Sequence, residues 1–189
     1  MAAACSVGER NEQLDVLFET TDRLGRAGIT YMLTGSMALA CYVEPRMTRD
    51  IDIVISATLR DGPRIARLFT EGFYVPEEAL REALRGDGMA SLLHLDTLFK
   101  VDLVGLRRDA FDQHAFGRAR DLEIDGRVLR VIAPEDLFLA KLRWWRTSDS
   151  VQQRRDLSTL SRLPLDEAYL EGWAMRMGLG DALREVRGG

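Results

Sequence analysis

The chain has 189 residues, of which 46% are hydrophobic and 30% charged, enough for one ordinary domain with a real core and unlike a disordered tail. The formal net charge of -4 gives no whole-chain basic field for duplex nucleic acid or an anionic membrane. No apolar run approaches the ~20 residues of a membrane-spanning helix, and Cys5 and Cys41, far apart and outside any CxxC, argue against a disulfide scaffold or zinc module.

The run Met1–Cys5 is small and apolar, but Glu9 and Arg10 follow at once. Without the apolar stretch of a signal peptide, the expected location is the cytoplasm. Leu14, Leu17, Phe18, Thr21 and Leu24 recur at helical spacing and predict a helix over about 9–26, stopped by Gly25 and Gly28. A β-prone run, 29–33, leads into Thr34-Gly35-Ser36, and 37–43 reads as a short helix with Ser36 as its N-cap. Pro45 closes that helix and leaves a loop carrying Arg46 and Arg49. The β-branched run 50–55 is a strand, and 61–69 a helix. The stretch 71–88 reads as a loop with a short helix around Pro76. Residues 97–104 alternate as a strand, with Phe99, Val101 and Leu103 on one face and Lys100 and Asp102 on the other. A hairpin over 121–132 turns at Asp125-Gly126. From Pro134 onward the pattern is helical: 135–147, 151–163, 166–177 and a short last helix. The reading is an α+β chain, a small mixed β-sheet core over 1–132 with packed helices and a C-terminal helical subdomain over 133–189.

Asp50 and Asp52 stand two apart on a predicted strand, so both leave one face ~6.6 Å apart along the chain. Ile51, Ile53 and Ile55 take the opposite, core-facing side. Adjacent carboxylates repel unless a cation lies between them, and oxygen-only ligands suit Mg²⁺ or Mn²⁺. Asp102 adds a third carboxylate on a separate strand and joins the pair if the strands are neighbours. An isolated DxD is also a common ornament of a polar strand face. Here it follows a Gly-Ser turn at a helix start, suited to phosphate oxygens, and a loop with two arginines. Together these form a kit for phosphoryl or nucleotidyl transfer.

Thr34-Gly35-Ser36, thirteen intervening residues, Asp50-Ile51-Asp52 and later Asp102 within Phe99–Val104 resemble the DNA polymerase β-type nucleotidyltransferase superfamily. Pro134-Glu135-Asp136-Leu137, Lys141-Leu142 and Arg155-Asp156-Leu157 are similar to the helical region of abortive-infection toxin-type minimal nucleotidyltransferases. Thr159 stands where their R/K-D-x-x-D pattern ends in Asp. The resemblance implies transfer of a nucleoside monophosphate from an NTP to an acceptor hydroxyl, with Mg²⁺ (or Mn²⁺) held by Asp50, Asp52 and Asp102. It implies that Asp102 could take the proton of the attacking hydroxyl and that Gly35 and Ser36 hold the β and γ phosphates. Arg46, Arg49, Lys141 and Arg155 are the other nucleotide-binding candidates. Lys100 would either neutralise transition-state charge or solvate an edge face.

The acceptor stays open among an RNA 3′ end such as tRNA, a protein and a small molecule. A toxin–antitoxin role, a homodimer and a cognate partner protein are compatible with the resemblance. The alternative function is a non-catalytic protein-binding or regulatory module on the same fold. Of the adjacent Trp144 and Trp145, only one can face the core of a helix. Trp173 is expected in the core, Cys41 as a small buried residue, and His94 and His114 without a role.

Overall fold

The computed structural model describes residues 12–43, 48–86 and 88–188. Alternation organises the sheet. In β2 (Asp50–Ile55) the side chains of Ile51, Ile53 and Ile55 are buried while those between them are only partly covered. Such a strand must be sandwiched by apolar matter on one side and by something polar on the other. β1 (Tyr31–Thr34) pairs antiparallel with one edge of β2, and β5 (Lys100–Gly105) pairs parallel with the other. β4 (Ala90–His94) and the two-residue β3 (Phe73–Tyr74) extend the sheet beyond β5, while β7 (Arg127–Val131) and β6 (Arg120–Ile124) extend it beyond β1. The result is a seven-stranded mixed sheet in the order β3-β4-β5-β2-β1-β7-β6.

Helices cover both faces. α4 (Glu77–Arg85) lies on the isoleucine face: a Cβ at Gly105 would sit 2.3 Å from the carbonyl oxygen of Ala83. Gly105 shares that face with Val101 and Leu103, and only a glycine lets the helix backbone come so close. α1 (Glu12–Arg26) and α3 (Gly62–Leu68) contact each other and add to the same core. α2 (Gly35–Ala40) leaves the end of β1 and packs on β2 and on α6 (Pro134–Ser148). α5 (Ala110–Gly117) is capped by Asp109, whose carboxylate accepts the Asp112 N–H at 2.9 Å. α7 (Val151–Leu160), α8 (Glu167–Arg176) and α9 (Gly180–Val186) gather on α6. The Tyr169 hydroxyl of α8 donates to Asp136 of α6, and the Arg118 guanidinium lies 4.0 Å over the Tyr169 ring. Leu137, Phe138, Leu142 and Leu157 belong to the same buried apolar cluster as the strands. The helical segment after Pro134 therefore shares its core with the sheet.

Most of the expected elements are present, and the differences have local causes. Helix α2 starts at Gly35 with Thr34 as its N-cap, so Ser36 sits inside the first turn and is not the cap. The short helix expected around Pro76 is the nine-residue α4, which starts directly after that proline, whereas β3, β4 and α5 were not anticipated. β3, at two residues, and α5, at eight, are too short to mark a period clearly. β5 begins at Lys100, because Thr97 is held in a turn by its hydroxyl 2.8 Å from His94 Nδ1. The hairpin turns at Asp125-Gly126 with both residues at positive φ, 50° and 74°, as a two-residue hairpin loop requires. Trp145 is 5% exposed and Trp144 59%. Trp173 is half-buried, its ring 5.6 Å from that of Phe111 and 5.0 Å from that of His114. Cys41 is also half-buried, and burial pushes its thiol up to about 11. Among the described residues no helix is long and apolar enough to cross a membrane.

Candidate active site

The parallel pairing of β2 and β5 places Asp52 opposite Asp102 and Asp50 opposite Lys100. One register therefore delivers three carboxylates and an ammonium to a single patch at the start of both strands. Asp102 has a side chain only 4% exposed, against 51% for Asp50. Its Oδ1 accepts a hydrogen bond from Ser91 Oγ at 2.5 Å, and its Oδ2 lies 3.1 Å from Lys100 Nζ. The same Nζ is 3.2 Å from Asp50 Oδ1. Ser91 is the register partner of Asp102 on β4, so the sheet itself supplies this hydroxyl.

Asp52 is the strained member of the set. Burial, then repulsion from Asp102 and Asp50, push its carboxyl up to about 6, against the pull of Lys141 and a hydrogen bond donated by the Ser36 N–H. Burial is the main cause of the rise, and the two neighbouring carboxylates add to it. The turn before α2 is built around the same carboxylate. Gly35 has φ +66°, and a Cβ there would lie 2.0 Å from Asp52 Oδ2. Gly35 thus serves both backbone conformation and close approach.

Lys141 enters from α6. Its Nζ is buried, 2.7 Å from Asp156 Oδ2 and 3.3 Å from Gln153 Oε1 on α7. Gln152 donates to the other oxygen of Asp156 at 2.9 Å. The Lys-Leu and Arg-Asp pair of the helical region therefore has a physical meaning here: the lysine and the aspartate form a buried ion pair that clamps α7 onto α6 beside Asp52. Arg155 is exposed on α7, and its guanidinium makes no hydrogen bond or ion pair among the described residues. Arg49 is exposed next to Asp50, while Arg46 lies outside the described residues.

The structure thus brings together Gly35, Ser36, Asp50, Asp52, Asp102, Lys100 and Lys141, and leaves Arg155 outside. Sequence reasoning missed Ser91 and Asp156. Asp156 had a signal, since it adjoins Arg155 in the Arg-Asp pair. Ser91 had only the weak alternation of 90–94.

The donor set is chemically suited to a hard divalent cation: carboxylate oxygens only, with a surplus of negative charge. Among the described residues no three acid, histidine or cysteine side chains are spaced as a ligand set in the present arrangement. The Lys100 ammonium holds two of the carboxylates instead.

No protein-family model matches the chain, and no curated protein does. Solved structures do. The antibiotic-resistance factor ANT(2'')-Ia superposes with a TM-score of 0.64 over 94% of each chain at 13% identity. A nucleotidyltransferase-like antigenic protein from Paracoccidioides brasiliensis gives 0.58 over 92% of this chain and 93% of its own, at 16% identity. The lincosamide antibiotic adenylyltransferase LnuA, solved with lincomycin bound, gives 0.54 over 80% of this chain and 96% of its own, at 14% identity. The chain has a nucleotidyltransferase fold. In that fold, here, the acid patch lies where β1 hands over to α2 and where β2 and β5 begin. The nucleotidyltransferase fold spans the helices after Pro134 as well as the sheet, since the match to ANT(2'')-Ia covers nearly the whole chain.

Proposed function

We propose that the chain transfers a nucleoside monophosphate from an NTP to an acceptor hydroxyl, with release of pyrophosphate. The observation that carries this reading is the register pair Asp52–Asp102, with the Gly35-Ser36 turn seated on Asp52. Asp50, Asp52 and Asp102 would hold Mg²⁺ or Mn²⁺, which when bound stabilises charge on the phosphate and lowers the pKa of a coordinated hydroxyl. Asp102 would orient the attacking hydroxyl and accept its proton, its own carboxylate held by the hydrogen bond from Ser91. Ser36 would present its hydroxyl to the β and γ phosphates while its N–H holds Asp52. Lys141, fixed by Asp156, adds positive charge beside the reacting phosphate. Arg46 and Arg49, which precede β2 in the sequence, would contact the phosphates.

A small-molecule hydroxyl leads the acceptors. One ANT(2'')-Ia structure, matching with a TM-score of 0.59, carries adenylyl-2''-tobramycin, and LnuA carries lincomycin. RNA 3′ ends and protein hydroxyls are the other arms of the test. Each α-labelled NTP is incubated with Mg²⁺ or Mn²⁺ and with an aminoglycoside, a lincosamide, tRNA or a protein extract. Label should pass to one acceptor class and fail to do so with Asp102→Asn. Absence of transfer, together with no nucleotide-dependent rise in melting temperature for any NTP and either metal, would overturn the reading.

A further inference from the structure

Lys100 fills the position between two carboxylates that the proposed function gives to a divalent cation. Its Nζ is 3.2 Å from Asp50 Oδ1 and 3.1 Å from Asp102 Oδ2. The placement is dictated by the sheet. Lys100 lies opposite Asp50 across the parallel pair and two residues before Asp102 on its own strand, so both acids and the lysine share one face. The contact is not a buried lock. The lysine side chain is 39% exposed, on a flexible four-carbon stem that can swing its head into solvent. Nor is the surface ion pair an accident of one loose partner, because the ammonium is shared between an open carboxylate and a buried one.

A single positive charge in this position quenches part of the repulsion that a metal-free site would otherwise carry. The cost is competition. With the ammonium in place, the acids are not spaced as a ligand set among the described residues. A divalent cation brings twice the charge to the same oxygens and so can displace the lysine. We infer that Lys100 is a resident counter-cation of the acid site, competing with the divalent ion for Asp50 and Asp102 and released toward solvent when that ion binds. The inference rests on the proposed function only in taking these acids as a divalent-cation site. It adds that metal loading and lysine release are one coupled step.

The test needs no turnover. Mn²⁺ binding to the full chain is measured by calorimetry or by the EPR signal of free Mn²⁺, without nucleotide, for wild type, Lys100→Met, Lys100→Gln and Lys100→Arg. The neutral variants should bind Mn²⁺ about tenfold tighter or more, and Lys100→Arg should stay near wild type because it keeps the charge. In EDTA the neutral variants should melt below wild type, and Mn²⁺ should close that gap. Adding Asp50→Asn to Lys100→Met should remove the gain in affinity. If wild type binds Mn²⁺ and neither neutral variant binds it tighter, the inference is wrong while the cation site stands. Equal gains in Lys100→Arg and Lys100→Met would also sink it, since charge would not be the cause. If no variant binds Mn²⁺, the reading of the acids as a cation site fails and takes the inference with it. The glutamine variant guards against a methionine that disturbs the fold.

Discussion

Gly35 and Asp52 occupy what would otherwise be one volume: a Cβ on the glycine would stand 2.0 Å from the carboxylate oxygen of the aspartate. The turn that opens α2 and the strand that carries the acid are therefore fitted to each other. Gly35→Ala must either push Asp52 aside or open the turn, and it also places a side chain at φ +66°. A loss of roughly 1–3 kcal/mol in stability is expected from the backbone alone. Nucleotidyl transfer should fall about 100-fold or more, as a misplaced catalytic group does. Chemical denaturation and label transfer, measured side by side, check both effects. A variant with wild-type activity would show that the close approach does not matter.

Asp52 makes the metal-free protein sensitive to pH in an unusual direction. Its carboxyl sits at about 6 in the fold, above the ~3.9 of an unfolded chain. The folded state therefore binds more protons between these values. The associated stability is present below about pH 4 and is lost as pH rises toward 6 and above, a difference on the order of 3 kcal/mol. Other carboxylates titrate in the same range, so the measurement is a comparison with Asp52→Asn in EDTA. The variant should gain on wild type between pH 4 and pH 7. Parallel pH curves for the two proteins would refute this account of Asp52.

The buried pair Lys141–Asp156, 2.7 Å apart, offers a way to separate stability from chemistry. Lys141→Met removes the ammonium that faces Asp156 in the buried pair and should cost up to about 3–5 kcal/mol. The double variant Lys141→Met with Asp156→Leu removes both charges and should recover most of that loss. Activity should not return with stability, because the positive charge beside Asp52 is still missing. Recovery of transfer in the double variant would reduce Lys141 to a structural role.

The adjacent tryptophans should respond very differently. Trp145→Ala opens a cavity in a side chain site that is 5% exposed and should cost about 3–5 kcal/mol. Trp144, 59% exposed, should change stability by no more than ~0.5 kcal/mol. Equilibrium denaturation of the two single variants decides the matter.

Much of this was legible locally. The alternation of aspartate and isoleucine over 50–55 determined that the acids leave one face and the isoleucines enter the core, because a strand has a side-chain period of two. Asp125-Gly126 determined the hairpin, because few dipeptides tolerate two successive residues at positive φ. The Gly-Ser pair ahead of the DxD marked the turn that the structure seats on Asp52.

Tertiary structure decided the rest, and for one physical reason: pairing register and helix packing are interactions between distant segments. Only the β2–β5 register sets Asp52 against Asp102 and aims Lys100 between Asp50 and Asp102. Only the packing of α6 and α7 turns Lys141 inward to Asp156 and leaves Arg155 in solvent. The same packing chose Trp145 over Trp144 for the core. Even the net charge of -4 changes meaning once folded. The sequence alone gives a mildly acidic chain, whereas the fold concentrates three of its carboxylates into one patch that the protein neutralises only in part.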